Sequence, residues 1–350
     1  MWPANKKIRV MVVDDSIMAR TMITNGLSKH PRIEVVGTGF NANDAMAKVG
    51  QLRPDVITSD VEMPGMSGID FLKQLLPRYP LPVILVSSLN LRVFDALSAG
   101  AVDFVRKPEP GQNEVFITAL TQKVIAAAGA KVRPGSSSLA RPAGAAQLAV
   151  PARLGSKPSL DQVIIGLGAS TGGTEATLEV LKRLPADIPG MLIVQHMPTG
   201  FTQMYADRLN RLCQMEVREA KHGDEVRRGL ALLAPADYQM RVVRSGSRYT
   251  VSCTSGEKVS GHRPSVDALF FSMAEQVRCK MVGIIMTGMG RDGADGLLHM
   301  RKAGAYTIGQ DKESCVVYGM PMVAQNIGAV QIQASCENIS SVLLRHLNQV

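Results

Sequence analysis

The sequence predicts an α/β protein made of two parallel-sheet domains in tandem, and three observations carry that expectation. Apolar runs of strand length alternate with segments of helical period over residues 1–128, and again over 161–350. Between these regions, residues 129–160 lose both periods and become rich in Ala, Gly, Ser and Pro. Polar and glycine-dense motifs stand where the apolar runs end, the edge on which open parallel sheets carry their working residues.

In the first region, Ile8–Val13, Ile33–Thr38, Val56–Ser59, Val83–Val86 and Val102–Val105 read as five strands. The helical segments are Ile17–Leu27, Asn43–Val49, Gly68–Leu76, Leu91–Ala99 and Val115–Ala127. Five strands alternating with five helices argue for a parallel, doubly wound sheet. Asp14 and Asp15 then end the first strand, Asp60 the third and Ser87 the fourth, and Lys107 follows the fifth. All five fall on one rim. Three carboxylates gathered there repel one another unless a cation joins them, and an oxygen-only set of this kind suits Mg²⁺. A hydroxyl and an ammonium opposite them complete a site for a phosphoryl group. Helix capping would account for one or two of these residues, not for five.

Residues 8–128 resemble a response-regulator receiver domain, on the strength of Asp14-Asp15, Asp60 with Met63-Pro64-Gly65, Ser87, Phe104 and Lys107-Pro108. The resemblance implies a flavodoxin-like fold in which Asp60 accepts a phosphoryl group from a histidine kinase. It implies that Asp15, Asp60 and the backbone of Glu62, helped by Asp14, hold Mg²⁺. Ser87 and Lys107 would contact the phosphoryl oxygens, and Phe104 would report the switch by changing rotamer.

No acidic residue occurs between Glu114 and Asp161, whereas Arg133, Arg141, Arg153 and Lys157 do. The expectation for 129–160 is a flexible, weakly basic tether.

The second region returns to an α/β pattern. Strands are expected at Val163–Leu167, Met191–Gln195, Met215–Glu219, Leu230–Leu233, Met281–Thr287, Ala305–Ile308 and Ala329–Gln333. Helices are expected near 174–184, 201–212, 265–278, 293–303, 320–327 and 337–348. Gln239–Cys253 reads as an antiparallel hairpin turning at Arg244-Ser245-Gly246-Ser247.

The first strand of this region runs into Gly166-Leu167-Gly168-Ala169-Ser170-Thr171-Gly172-Gly173 and then a helix. Gly168–Gly172 matches G-x-S-x-G, in which a sharp strand-to-helix turn exposes a serine nucleophile. The same glycines also fit a phosphate cradle, although Thr171 stands where the last glycine of G-x-G-x-x-G belongs. The plainest reading is a tight turn with Ser170 or Thr171 as an N-cap. His196 ends the next strand, 26 positions on (196 minus 170), which is one helical crossover. Strands joined that way are usually neighbours. Met281–Thr287 runs into Gly288-Met289-Gly290-Arg291-Asp292-Gly293, so Asp292 reaches the same edge. A serine needs a base for its proton, and the base needs a carboxylate to fix its tautomer. His222 and His262 are rival bases, and Asp295 rivals Asp292. The order Ser…His…Asp differs from the Ser…Asp…His of α/β-hydrolases.

Residues 161–348 resemble the catalytic domain of the chemotaxis protein-glutamate methylesterases, the CheB family. The stretches that carry it are Gly166–Gly173, Gln195-His196-Met197-Pro198, His262-Arg263-Pro264-Ser265-Val266-Asp267 and Thr287–Gly293. The resemblance implies Ser170 as nucleophile, His196 as base and Asp292 as its orienter. It implies an oxyanion hole using the Met289 backbone N–H, with Thr171 in support, and no cofactor for the ester step. The implied activity removes methyl groups from chemoreceptor glutamyl esters and deamidates receptor glutamines. The implied partners are those receptors and a histidine kinase, and the implied control is a receiver that covers the active-site edge until Asp60 is phosphorylated.

The 45% hydrophobic and 20% charged residues are those of a soluble globular protein, and 350 residues suggest two domains that each bury a core. Met1–Lys7 lacks an apolar h-region, and no apolar run is long enough to span a bilayer, so a cytoplasmic protein without membrane insertion is expected. The five cysteines are scattered without C-x-x-C spacing, which suits reduced thiols. A net charge of +9 admits an acidic partner, and a nucleic-acid-binding output domain is the competing class. No helix-turn-helix is visible, and 161–350 is long for such a domain, so no nucleic acid is expected as partner.

Overall fold

The computed structural model describes residues 2–3, 5–88, 92–132, 154 and 157–350. Most of the expected tether, with Arg133, Arg141 and Arg153, lies outside the described residues, as does Leu91, the expected start of the fourth helix. Contacts divide the chain into two units, Met1–Ala145 and Ala146–Val350. Among the described residues no helix is long and apolar enough to cross a membrane.

The first unit alternates strand and helix throughout. Its elements are β1 (Ile8–Val13), α1 (Ile17–Ser28), β2 (Ile33–Gly39), α2 (Ala42–Leu52) and β3 (Val56–Asp60), followed by α3 (Gly68–Leu75), β4 (Val83–Ser87), α4 (Arg92–Ser98), β5 (Asp103–Arg106) and α5 (Asn113–Ala127). The strands pair in parallel in the order β2-β1-β3-β4-β5. Helices on both faces bury β3 and β4 completely, so these strands read as unbroken rather than alternating patterns. Helix starts follow from capping side chains: Ser16, Asn41 and Ser67 accept the N–H groups of Ala19, Asp44 and Asp70. The fifth strand begins and ends one residue later than the pattern suggested. Asp103 is nevertheless buried there, where its carboxylate meets Lys123 at 2.7 Å.

The second unit contains β6 (Val163–Ala169), α6 (Gly173–Leu181), β7 (Gly190–Gln195), α7 (Phe201–Leu212), β8 (Glu216–Glu219) and β9 (Leu230–Leu233). A hairpin of β10 (Gln239–Ser245) and β11 (Arg248–Thr254) follows, then α8 (Val266–Gln276), β12 (Lys280–Ile285) and α9 (Ala294–Lys302). The unit ends with β13 (Tyr306–Gln310), α10 (Met320–Asn326), β14 (Ile332–Ala334) and α11 (Cys336–Gln349). Seven strands form one parallel sheet in the order β14-β13-β12-β6-β7-β9-β8, while β10 and β11 form a separate antiparallel ribbon.

β6 lies between β7, reached by one crossover, and β12, reached after a long excursion. The strand order reverses there. Such a switch point opens a crevice beyond the carboxyl ends of the strands. Helix α8 lies against β6 and buries Val266, Leu269, Phe270 and Met273 completely, each worth about 1.5–3 kcal/mol of apolar transfer.

That contact explains part of the glycine motif. A Cβ on Gly168 would lie 2.2 Å from Val266 Cγ1, and one on Gly166 would lie 2.7 Å from Met273 Sδ. These two glycines are strand residues that admit α8, not turn residues. The turn itself needs Gly172, which has φ 75° and is the N-cap of α6; neither Ser170 nor Thr171 caps the helix. Several strand ends differ from expectation by a few residues, β12 and β14 among them. β12 ends at Ile285, two residues early, although Met286 still donates its N–H to Gly168 and the Thr287 carbonyl accepts from Ser170. β14 starts at Ile332, three residues late, since the Ala329 N–H closes the end of α10 instead.

Candidate active site

Ser170 is the first residue beyond β6, and its backbone is held on both sides. Its N–H donates to the Thr287 carbonyl at 3.0 Å, and its carbonyl accepts from Gly173 at 2.7 Å and from the Gln195 side-chain amide at 2.8 Å. His196 is the first residue beyond β7, and its N–H donates to the Ala169 carbonyl at 3.1 Å. Neighbouring parallel strands therefore deliver the hydroxyl and the imidazole side by side. His196 Nδ1 lies 3.1 Å from Ser170 Oγ, and Nε2 lies 2.8 Å from Asp292 Oδ2. An ionised carboxylate only accepts, so the proton sits on Nε2 and the Nδ1 lone pair faces the serine hydroxyl. Relative to chymotrypsin-type triads the ring is turned end for end, with the same connectivity.

Asp292 is 1% exposed and accepts four hydrogen bonds. Oδ2 takes His196 Nε2 and the Val266 N–H at 2.8 Å; Oδ1 takes the Ser265 hydroxyl at 2.7 Å and the Asp267 N–H at 2.9 Å. Burial pushes this carboxyl's pKa up, but His196, the Asp267 N–H and the Ser265 hydroxyl outweigh it, and the net displacement is downward. The carboxylate is thus held ionised at the amino end of α8, where helix partial charge also favours an anion.

The structure brings Ser170, His196 and Asp292 together and separates them from most of the rivals. His222 is exposed in the loop after β8. Asp295 is turned outward and pairs with Arg291 at 2.6 Å. His262 is present, but as a ring stacked face to face on His196, with centroids 3.9 Å apart and planes 10° from parallel. Thr171 is buried, and its carbonyl accepts the Thr287 hydroxyl at 3.0 Å. Met289 is 40% exposed in the turn after β12, and among the described residues its N–H makes no backbone hydrogen bond.

Spacing alone passes over several residues that hold this arrangement. Gln195 is 2% exposed and donates to the carbonyls of Ser170 and His196, fixing both turns. Thr287 is fully buried and joins the Ser170 turn to Val317, while its N–H is held by the Gln310 side chain at 2.8 Å. Ser265 is both the N-cap of α8 and a donor to Asp292. Only the cap was readable, as a serine immediately before a helical pattern.

In the first unit, Asp14, Asp15 and Asp60 each bring a carboxylate oxygen within 4.8 Å of the others. Asp14 and Asp60 are buried and Asp15 is exposed. Lys107 Nζ lies 2.5 Å from Asp60 Oδ2 and 3.5 Å from Asp14 Oδ2. The Glu62 N–H donates to Asp60 Oδ1 at 3.1 Å, and the Lys107 N–H donates to the Ser87 carbonyl at 2.8 Å. Burial raises the Asp60 pKa against the opposing pull of Lys107 and the Glu62 N–H. Burial alone would lower the Lys107 pKa, but Asp60 and Asp14 raise it, so the amine stays charged. Two buried oxygens, Asp14 Oδ2 and Ser87 Oγ, have no hydrogen-bond partner among the described residues. Orphaned oxygens beside an ammonium and two further carboxylates fit a hard cation with its phosphoryl ligand. Phe104 is buried on β5, edge-on to Phe94 at 6.4 Å.

A five-stranded domain with an acidic rim, joined to an α/β domain with Ser, His and Asp in hydrogen-bonded series, defines a hydrolase carrying a signalling domain. Comparison with known proteins gives the family. Residues 165–343 match the CheB methylesterase model, and residues 10–120 match the response regulator receiver domain model. The chain is 48% identical over 350 residues to "Protein-glutamate methylesterase/protein-glutamine glutaminase 2" of Syntrophomonas wolfei, covering 99% of each chain. It is 45% identical to "Protein-glutamate methylesterase/protein-glutamine glutaminase" of Syntrophotalea carbinolica, covering 98% of this chain and 99% of that one. The Thermotoga maritima CheB methylesterase catalytic domain superposes with a TM-score of 0.51 at 33% identity, covering 52% of this chain and 97% of that one. The chain belongs to the CheB methylesterase family, as a methylesterase with a receiver domain.

Proposed function

We propose that the chain hydrolyses glutamyl γ-methyl esters on chemoreceptors, and deamidates receptor glutamines, by a Ser170–His196–Asp292 mechanism switched on by phosphorylation of Asp60. The observation that carries the reading is the hydrogen-bonded series at the β6 switch point, 3.1 Å from Ser170 Oγ to His196 and 2.8 Å from His196 to Asp292. The named relatives supply the substrate class, protein glutamate and glutamine.

Ser170 Oγ attacks the ester carbonyl carbon as its proton passes to His196 Nδ1. Asp292 stabilises the imidazolium through the Nε2–H bond. The negative oxygen that forms takes the Met289 N–H as donor, with Thr171 beside it. Collapse expels methanol, which carries away the proton from Nδ1, or ammonia when the substrate is glutamine. Water then gives a proton to the same nitrogen as its oxygen attacks the acyl-serine; collapse returns that proton to the departing Ser170 Oγ, and the glutamic acid released gives up its own proton to solvent as a carboxylate.

In the receiver, Asp60 is the phosphoryl acceptor, and a histidine kinase is the donor. Asp14, Asp15, Asp60 and the Glu62 backbone would hold Mg²⁺, which supplies charge neutralisation for the incoming phosphoryl group. Lys107 and Ser87 bind the phosphoryl oxygens, and Lys107 must leave Asp60 Oδ2 to do so. Phe104 then changes rotamer. Residues 1–128, 129–160 and 161–350 serve as receiver, tether and catalytic domain. The protein works in the cytoplasm.

The test is methanol release from methyl-labelled receptor membranes, with and without a small phosphodonor and Mg²⁺. Release that rises with the phosphodonor and vanishes in Ser170→Ala supports both halves. Release that persists in Ser170→Ala removes the nucleophile.

A further inference from the structure

We infer that His262 is a positioning residue for His196, acting through its ring face rather than its nitrogens; the inference rests on the Ser170–His196–Asp292 reading. Two hydrogen bonds at opposite edges of a small ring fix its place along the line between the partners. They leave a tilt about that line restrained only by the Cβ–Cγ bond to the backbone. A tilt about it swings the Nδ1 lone pair away from the serine hydroxyl, although both partners stay in reach. A flat group parallel to the ring at van der Waals distance removes that freedom on one side. His262 is such a group, 3.9 Å away by centroid and 10° from parallel.

The way His262 is held supports this role. It exchanges two backbone hydrogen bonds with Val259, at 2.9 and 3.0 Å, and its carbonyl accepts from the buried Gln239 amide at 2.9 Å. Two residues earlier, the Ser260 hydroxyl donates to Asp267 Oδ2 at 2.6 Å. Asp267 stands in the first turn of α8 and also takes the Gly296 N–H, at 2.7 Å. The N–H of the same Asp267 donates to Asp292. One helix start therefore anchors both the carboxylate at the edge of the His196 ring and the loop that covers its face. The two constraints cannot drift independently.

The experiment compares His262→Ala, His262→Phe and Ser260→Ala with the full-length wild type. The readouts are kcat and KM for methyl-ester hydrolysis, the rate at which a fluorophosphonate labels Ser170, and melting temperature. His262→Ala is expected to lower kcat and the labelling rate about tenfold with KM unchanged, the scale on which misplaced groups cost rate. His262→Phe keeps a flat face without ring nitrogens and is expected to recover most of that loss. Ser260→Ala keeps the ring but loosens its loop, and is expected to lose about threefold in kcat. Wild-type kcat and labelling in both His262→Ala and Ser260→Ala would overturn the proposal. So would a His262→Phe variant that folds yet is as inactive as His262→Ala, because the nitrogens would then matter. Ser170→Ala and His196→Ala are run alongside; if those retain activity, the underlying triad fails, whatever His262 does.

Discussion

The hydroxyl of Ser265 lies 2.7 Å from Asp292 Oδ1, and the same hydroxyl accepts the Ala268 N–H at 3.2 Å. The N-cap of α8 and the carboxylate behind His196 are thus one hydrogen-bonded unit. Removing the hydroxyl in Ser265→Ala costs a cap, about 1 kcal/mol, and a buried bond to a charged group, about 1.5 kcal/mol. The expected outcome is a melting temperature lower by about 5–10 °C. Asp292 keeps His196 and two backbone donors, so kcat should fall only about fivefold. A variant with wild-type stability would show that the cap is not part of the catalytic unit's support.

The two acidic residues at this helix start should respond to pH in opposite senses. Asp292 has its pKa lowered below 3.8, so it stabilises the fold above the unfolded value and loses that contribution as pH falls through the folded one. Asp267 has its pKa raised above 3.8, with burial as the largest cause, so its contribution is full below the unfolded value and is lost as pH rises through the folded one. Urea midpoints measured between about pH 3 and pH 7 test this. Asp292→Asn should lose most relative to wild type at neutral pH and progressively less toward acid. Asp267→Asn, which can still accept from Gly296, should gain relative to wild type as pH rises. Parallel curves for the two variants would contradict the assignment.

Much of this was legible in the sequence because parallel sheets covered on both faces leave their strands as plain apolar runs. β9 lies where the pattern put it, and the β10–β11 ribbon turns within Arg244–Ser247. Ser170 and His196 could be placed at the sheet edge because each follows directly on such a run, and Asp292 because a run leads into its glycine-dense turn. The full strand order was not. That β12 lies beside β6 depends on the packing of α8 against Gly166 and Gly168, a contact between residues about a hundred positions apart. Gln195, Ser265 and the stacked face of His262 stayed hidden for the same reason, since their roles consist of contacts between elements and leave no periodic trace. His262 looked like a rival base because a sequence shows a histidine's nitrogens but not which way its ring faces.

In the receiver, Lys107 Nζ lies 2.5 Å from Asp60 Oδ2 and 3.5 Å from Asp14 Oδ2, so the proposed phosphoryl acceptor is already ion-paired. On the proposed mechanism, phosphorylation exchanges that pairing for one to the phosphoryl oxygens. Asp60→Asn should abolish the mass gain from a small phosphodonor and any rise in esterase activity, leaving basal activity unchanged. Chelation with EDTA should do the same to the wild type, and Asp15→Asn should raise the Mg²⁺ needed for half-maximal phosphorylation about tenfold, the low end of what losing a group around a metal costs. Phosphorylation that proceeds in EDTA would remove the metal from this rim.

Gly288 offers the sharpest separation of fold from chemistry. Its N–H donates to Val317, and its carbonyl accepts from Gly319 and Met320, so the backbone is fixed on both sides. A Cβ added there would lie 2.3 Å from Met320 Sδ and 2.7 Å from Ser170 Cβ. The thioether is the flexible end of a side chain and can give way, at a cost of about 1–3 kcal/mol for overpacking. Ser170 can yield only through its side chain, because Thr287, Gly173 and Gln195 all hold its backbone. Gly288→Ala should therefore fold, with a modestly lower melting temperature, yet lose about 100-fold in kcat as Ser170 Oγ is pushed off the line to His196 Nδ1. Gly283→Ala, whose added Cβ would meet Leu297 Cδ1 at 2.5 Å inside β12, is the matched control, overpacked to a similar degree but remote from the serine. It should lose stability and keep most of its kcat. Equal losses of kcat in the two variants would mean that the strand, and not the position of Ser170, had been disturbed.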